Sequence, residues 1–227
     1  MVVGGEQTPR PPATDAPRDH SHDVWSVANM ITLLRLLLVP VFLVVLLSQR
    51  PNADTIAFVI FVVAAGTDFL DGLVARSTHT VTELGTTLDP LVDRTLIAAA
   101  VIGLFLVGRL PLWIALFFVL RDLYLLAGMS YLERKGVARP PVSWLGKITT
   151  AVALTGFALL VWDRPMVPGL GIAEVPWLPG LGSAPAPFGI YLLYIGVAFS
   201  LAAAVQYTFQ ARRALRAVGE PRNRRRA

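Results

Sequence analysis

The sequence predicts an all-α, polytopic membrane protein with six transmembrane helices and cytoplasmic N- and C-termini. Of its 227 residues, 55% are hydrophobic and 15% are charged, whereas about 25% of residues are charged in typical soluble domains. Six apolar stretches each approach the ~20 residues with which a helix crosses a bilayer, and a backbone inside lipid satisfies its own hydrogen bonds as a helix. This composition excludes a disordered chain and a soluble nucleic-acid-binding protein.

The first three predicted helices are Met30–Leu47, Thr55–Ala75 and Leu88–Val107. The first has Arg35 as its only charged residue, and the second has none before Asp68. The third becomes uncharged after its first two turns. These long uncharged runs are typical of helices that face lipid.

The last three predicted helices are Pro111–Tyr131, Leu145–Trp162 and Phe188–Phe209. Charged residues are rare in the fourth and fifth and absent from the sixth; they are Arg121, Asp122 and Lys147. The connection 163–187 is rich in proline and glycine, which favours an outer connecting loop.

The flanking segments differ from the apolar middle of the chain. Residues 1–23 contain four prolines among small, polar and charged residues, and such a segment cannot bury enough apolar surface to fold. We therefore expect a disordered tail at 1–23, a membrane domain at 24–210 and a basic tail at 211–227. The basic tail is expected to contact anionic membrane lipids.

Lysine and arginine are distributed unequally between the two sides of the predicted membrane domain. An even number of spans puts both termini on one side, which carries fourteen of the 20 basic residues. The opposite side has only Arg50, Arg109 and Arg164, and the other three basic residues lie near or within spans. Because basic residues accumulate on the cytoplasmic side, the pattern predicts a multi-pass cell-membrane protein with cytoplasmic termini.

Four aspartates interrupt the second and third spans. Asp68 and Asp71 are three residues apart, and Asp89 and Asp93 are four apart, so each pair lies on one face of its helix. Packed side by side, these helices would bring four carboxylates together. Three outcomes relieve their repulsion, namely proton uptake, pairing with arginine, or binding of divalent cations. With no cysteine in the chain, an oxygen-only site suits Mg²⁺, Mn²⁺ or Ca²⁺.

The segment 68–93 reads DFLDGLVARSTHTVTELGTTLDPLVD. Its pattern D-x2-D-G-x2-A-R-x8-G-x3-D-x3-D resembles the signature of the CDP-alcohol phosphatidyltransferase family. The sequences VANMITLLRLLLVPVF in the first span and SWLGKITTA in the fifth extend the resemblance over about residues 25–160.

The resemblance implies a role for each motif residue. Two divalent ions, Mg²⁺ or Mn²⁺, are expected on Asp68, Asp71, Asp89 and Asp93, and Asp93 is also the expected general base. The residues expected to bind the nucleotide are Gly72, Ala75, Arg76 and Gly85. Gly85 is in addition expected to end the linker 77–84. The residues expected near the acceptor are Arg35, Arg121 and Lys147, although Asp122 could pair with Arg121 instead.

The resemblance also implies the reaction, in which the phosphatidyl group of CDP-diacylglycerol passes to an alcohol and CMP is released on the cytoplasmic side. The first choice of acceptor is sn-glycerol 3-phosphate, because basic residues suit an anionic acceptor. The dipeptide Arg121-Asp122 is more similar to cardiolipin synthases of the eukaryotic type, whose acceptor is phosphatidylglycerol, and an inositol-phosphate-type acceptor is a third possibility. Relatives also suggest a homodimer.

A membrane transporter is the alternative from another functional class, since acids inside a membrane also mark transport paths. A transporter would distribute its carboxylates along a route through the bilayer. Here all four lie in two successive spans near one side, and no inverted repeat of the motif is present. The pattern therefore favours the transferase.

Overall fold

The computed structural model describes residues 27–48, 50–78, 83–137 and 143–219, and the side chains within 33–48, 50–67, 94–137 and 143–216. In this part of the chain six α-helices coincide with the six predicted segments. They are α1 (Val27–Leu47), α2 (Ala53–Thr78), α3 (Glu83–Leu106), α4 (Leu112–Arg134), α5 (Trp144–Trp162) and α6 (Phe188–Gly219). The predicted tail at 1–23 lies outside the described residues.

Two element boundaries differ from the prediction by more than four residues. α3 begins at Glu83, so Gly85 lies inside the first turn of that helix and does not end the linker. α6 continues past residue 209 to Gly219, because the residues that follow are rich in alanine, leucine and arginine, which are strong helix formers. The division into domains stays a prediction.

Local signals explain where several helices begin and end. The Ser143 hydroxyl accepts a hydrogen bond from the Gly146 amide at 3.1 Å and caps the start of α5. Asp163 ends α5 in the left-handed conformation with φ of 58°. Gly108, with φ of 75°, turns the chain between α3 and α4, a conformation that glycine adopts without strain.

The helices pack into a bundle around a core of aliphatic side chains and four phenylalanine rings. α1 contacts both α2 and α3, α2 and α3 contact each other, and α5 packs against α2, α3 and α6, while α4 lies against α3 and α6. Phe42 and Phe61 join α1 to α2 with ring centroids 5.6 Å apart. Phe118 and Phe157 join α4 to α5 at 5.1 Å.

α5 and α6 approach each other most closely at a pair of glycines. A Cβ atom added to Gly189 would lie 2.5 Å from the Gly156 carbonyl oxygen and 2.6 Å from the Leu160 amide nitrogen. Both neighbours are backbone atoms, so a side chain at Gly189 would separate the helices. Small residues that allow such contact are typical of helix pairs in membranes.

The outer surface of the bundle is strongly apolar. Large hydrophobic side chains are exposed on several helices, for example Val44 at 70%, Leu120 at 61% and Phe209 at 59%. Helices exposed to water are expected to present polar residues instead, so this surface fits a membrane. Within the described residues, Leu112–Arg134, Trp144–Trp162 and Phe188–Arg216 are long and apolar enough to span a bilayer.

α1, α2 and α3 contribute shorter apolar stretches in their described parts. The described part of the chain is therefore mostly helical and includes three candidate spans. Six spans with cytoplasmic termini stay a prediction.

The segment between α5 and α6 is a folded loop. Its ends form an antiparallel pair of two-residue strands, β1 (Met166–Val167) and β2 (Ala186–Pro187), which is the one departure from an all-α fold among the described residues. The Tyr194 hydroxyl donates to the Pro179 carbonyl at 2.9 Å, and the Trp113 indole donates to the Trp177 carbonyl at 2.7 Å. These bonds fix the loop over the ends of α4 and α6.

Candidate active site

The four aspartates predicted to bind metal lie on two helices that touch. Asp68 and Asp71 are in the third quarter of α2, and Asp89 and Asp93 are in the first half of α3. The helical backbone gives each pair a common face, and α2 packs against α3. The two helices that carry the aspartates are therefore neighbours, which is the first requirement for bringing the four carboxylates together. The four side chains lie outside the described set, so the metal site itself stays a prediction.

The other motif positions lie on the same two helices. Gly72, Ala75 and Arg76 continue α2 beyond Asp71, and Gly85 lies in the first turn of α3. Their side chains are also outside the described set. Among the side chains that the structure describes, no group of three or more His, Asp or Glu residues could hold a metal ion.

Arg35 is a buried cation at the height of these aspartates. Only 3% of the residue is exposed. α1 and α2 run antiparallel and touch at Phe42 and Phe61, and helical residues rise equally along the axis. Seven residues before Phe42 is Arg35, and seven residues after Phe61 is Asp68, so the two positions share about the same height.

The contact of α1 with α3 places Arg35 in the same way. α1 and α3 are parallel, and the Leu46 side chain packs over Gly103, 2.8 Å from where its Cβ would lie. Counting eleven residues back on each helix from this contact leads to Arg35 and Val92. Arg35 therefore stands one residue from the height of Asp93. Two independent contacts place the backbone of Arg35 at about the level of the predicted carboxylate positions, and its role at the acceptor stays a prediction.

Lys147 reaches a similar height from α5. The rings of Phe58 and Trp162 stack at 5.0 Å where α2 and α5 meet, and the helices are antiparallel. Fifteen residues from this contact are Lys147 on α5 and Leu73 on α2, so Lys147 lies close to the height of Asp71. Its side chain is exposed, which leaves the ammonium accessible to a ligand.

Arg121 is already engaged by its neighbour. Its Nη1 atom donates to Asp122 Oδ1 at 2.8 Å, and the two side chains are 18% and 23% exposed. The sequence left open whether Arg121 contacts the acceptor or pairs with Asp122, and the ion pair with Asp122 is present. Arg121 still has donors beyond this bond, because a guanidinium carries five.

A narrow, mostly apolar crevice lies beside Arg121. It has a volume of about 10 Å³ and lies between α3, α4 and α5, where its lining includes Ile97, Asp122 and Thr149. Ile97 is one helical turn after Asp93. Thr149 is 1% exposed and donates to the Leu145 carbonyl at 2.8 Å.

The sequence reasoning did not assign a role to Thr149 or to its neighbour Thr150, which also lines the crevice. The signal that could have identified them is a pair of hydroxyls directly after Lys147 in an apolar span.

The arrangement can therefore bring cations from three helices towards the carboxylate positions. Arg35 and Lys147 stand at their height, and Arg121 lies about one turn beyond, across the crevice. Oxygen-only donors in the motif fit hard divalent ions, and the cations around them fit a substrate that carries several negative charges.

Comparison with known proteins identifies the family. The model of the CDP-alcohol phosphatidyltransferase family matches residues 25–203. A protein of Mycobacterium tuberculosis named "Probable phosphatidylglycerophosphate synthase" is 40% identical over 155 residues, which cover 67% of this chain and 72% of the relative.

Two further relatives cover more of the chain. "Cardiolipin synthase (CMP-forming)" of Streptomyces coelicolor is 32% identical over 198 residues, with 86% of each chain covered. "CDP-diacylglycerol--glycerol-3-phosphate 3-phosphatidyltransferase" of Salmonella typhimurium is 28% identical over 192 residues, which cover 83% of this chain and 96% of the relative.

These matches confirm the resemblance seen in the motif and extend it to residue 203, inside α6. The apolar helical bundle agrees with a membrane protein of phospholipid synthesis, and the enzyme is a phosphatidyltransferase. The chain belongs to the CDP-alcohol phosphatidyltransferase family.

Proposed function

We propose that this enzyme transfers the phosphatidyl group of CDP-diacylglycerol to sn-glycerol 3-phosphate, giving phosphatidylglycerophosphate and CMP. The observation that carries the proposal is the position of Arg35 and Lys147 along the bundle axis. They lie on two other helices at about the level of Asp68, Asp71 and Asp93. A cationic surround of this kind suits an acceptor that carries its own phosphate. The relative from Mycobacterium tuberculosis is named for the same product.

The chemistry is a phosphoryl transfer with balanced bonds. The acceptor hydroxyl oxygen forms a bond to the phosphorus that carries diacylglycerol, and the bond from that phosphorus to the bridging diphosphate oxygen breaks. CMP leaves with the electron pair, and the hydroxyl proton passes to Asp93. A proton acceptor placed in this way contributes about 10²- to 10⁴-fold to the rate.

Two Mg²⁺ or Mn²⁺ ions would be held by Asp68, Asp71, Asp89 and Asp93. When bound, they supply neutralisation of the charge on the transferring phosphoryl group. Gly72, Ala75 and Gly85 provide positions without bulky side chains for the cytidine, and Arg76 provides a planar donor for the diphosphate. The site would open to the cytoplasmic side of the cell membrane, where most basic residues are expected.

A second acceptor is favoured by one specific observation. The Arg121–Asp122 ion pair partly neutralises the cation nearest to the crevice, and a less positive site suits phosphatidylglycerol, which carries one negative charge. In that case the product would be cardiolipin, as the name of the relative from Streptomyces coelicolor states for that protein.

The test is CMP release by the purified enzyme with CDP-diacylglycerol and Mg²⁺ or Mn²⁺, with each acceptor supplied in turn. We expect release with glycerol 3-phosphate, and its loss by at least about 10²-fold in Asp93→Asn. Glu174→Gln makes the same change from carboxylate to amide in the loop 163–187 and should keep full activity. Release with phosphatidylglycerol alone would replace the first acceptor by the second, and no release with any alcohol would refute both.

A further inference from the structure

A polar cavity lies at the end of the bundle opposite to the predicted catalytic site. Its volume is about 280 Å³, and it is lined by Leu46, Arg50, Asp54, Val107 and Arg109. These residues belong to the end of α1, the α1–α2 turn, the start of α2 and the α3–α4 turn.

The cavity is separate from the catalytic site. Asp54 precedes Asp68 by fourteen residues on the same helix, which corresponds to about 21 Å along its axis. A ligand in this cavity therefore cannot be the reacting group of either substrate.

One of the two arginines in the cavity wall is paired within the protein. Arg109 donates from Nη1 and Nη2 to the two Asp54 carboxylate oxygens at 2.9 and 2.7 Å, and from Nη1 to the Val161 carbonyl at 3.1 Å. Asp163 approaches Nη2 at 3.7 Å but does not line the cavity. Burial lowers the pKa of Arg109, but the hydrogen bond from Asp54 and the charges of Asp163 and Asp54 outweigh it and the pKa is raised.

The other arginine is not paired with an acid within the part of the chain that the structure describes. Arg50 is exposed and lines the cavity. It has no ion pair or side-chain hydrogen bond with any residue that the structure describes. Since Asp54 is balanced by Arg109, the residues that line the cavity carry one net positive charge, and Asp163 lies beside Arg109 outside the lining.

The surroundings of the cavity indicate which kind of anion reaches it. Leu46 and Val107 line it, and next to them Val44 is 70% exposed, Leu47 42% and Leu106 61%. These exposed side chains form the last turns of α1 and α3. The cavity thus begins where an apolar surface ends, which is the depth of the phosphate groups in a bilayer. A soluble anion would need no such apolar surface.

We propose that this cavity binds the phosphodiester of an anionic phospholipid, with Arg50 as the donor to phosphate and the acyl chains along the exposed ends of α1 and α3. Arg109 and Asp54 form the rigid wall of the site. A charge-assisted hydrogen bond from a guanidinium to phosphate is the strong kind of contact that fixes a headgroup. The site is independent of the acceptor alcohol and of the proposed reaction.

The test uses phosphatidylmethanol, an anionic phosphodiester lipid with no hydroxyl that could act as an acceptor. The purified protein in detergent is titrated with this lipid and with phosphatidylcholine, and bound lipid is counted by native mass spectrometry. We expect preferential binding of phosphatidylmethanol, about tenfold weaker in Arg50→Ala, as for the loss of one charged hydrogen bond. Arg164→Ala, which removes another exposed arginine from the same end of the bundle, should bind as the unmodified protein does.

Three results would overturn the proposal. One is equal binding by Arg50→Ala, and another is an equal loss in Arg164→Ala, which would indicate general surface charge. The third is full displacement of the lipid by dimethyl phosphate, a soluble phosphodiester, which would make the cavity a site for free anions. CMP release by Arg50→Ala at the normal rate shows that the variant is folded, and Arg50→Lys should restore most of the binding.

Discussion

Arg35 is the most completely buried charged side chain among those that the structure describes, with 3% of the residue exposed. A buried charge destabilises a fold by several kcal/mol unless opposite charge compensates it. At its height stand the backbone positions of Asp68 and, one residue away, Asp93. We propose that the guanidinium contributes to the electrostatics of the proposed metal site, where it would orient phosphate oxygens as a planar donor.

Replacing Arg35 should test this role. We expect Arg35→Met to lower kcat/KM for CMP release by more than about tenfold, a loss of about 1.4 kcal/mol in transition-state stabilisation. Arg35→Lys keeps the charge but not the planar guanidinium, so its kcat/KM should lie between those of the unmodified enzyme and Arg35→Met. Arg134→Met, at the exposed end of α4, is the matched control. If Arg35 served helix packing alone, the methionine variant would keep its activity.

Arg121 and Asp122 form an ion pair, and replacing one or the other should change the KM for the acceptor in opposite directions. Their 2.8 Å ion pair takes charge away from the crevice next to α3. Asp122→Asn should therefore lower KM for glycerol 3-phosphate, whereas Arg121→Met should raise it by about tenfold, as for one lost charged contact. Steady-state CMP release at varied acceptor concentration measures both. Arg121→Met without effect on KM would restrict this pair to a structural role.

At the scale of elements, the closest packing is between α5 and α6. Because a Cβ at Gly189 would meet the Gly156 carbonyl at 2.5 Å, Gly189→Ala should separate the helices and lower the free energy of unfolding by about 1–3 kcal/mol. Gly196→Ala is the matched control on the same helix, since its Cβ would meet Ala153 at an ordinary 3.7 Å. Thermal unfolding in detergent compares the two, and equal melting temperatures would contradict the glycine contact.

The helices were predictable because each depends on local composition. Long uncharged runs locate α1 to α6 to within a few residues at most ends. The prediction failed where a helix continues through polar sequence, as at the start of α3, where Gly85 and its neighbours are helical. Glycine marks a possible helix end, but it does not enforce one, because a single glycine inside a helix costs only about 1 kcal/mol relative to alanine.

For the molecule as a whole, a feature could be predicted from the sequence when its residues lie close together along the chain. It could not be predicted when they come from distant segments. The four aspartates and Arg76 lie in one short segment with fixed spacing, so their chemistry can be recognised locally. The cluster of Asp54, Arg109 and Asp163 joins residues from three distant turns, and a charge count assigned Arg109 only to membrane topology. Pairing of this kind depends on which helix ends meet, and no local pattern contains that information.

The topology follows from the same charge distribution and can be tested because the chain has no cysteine. Ala184 is exposed in the loop 163–187, and Lys135 is exposed at the end of α4. With cytoplasmic termini, Ala184→Cys should react with a membrane-impermeant maleimide in intact cells. Lys135→Cys should react only after permeabilisation. Thirteen other basic residues remain on the same side of the bundle and keep that side cytoplasmic. Labelling of Lys135→Cys in intact cells, with Ala184→Cys protected, would invert the bundle and place the proposed catalytic carboxylates outside the cell.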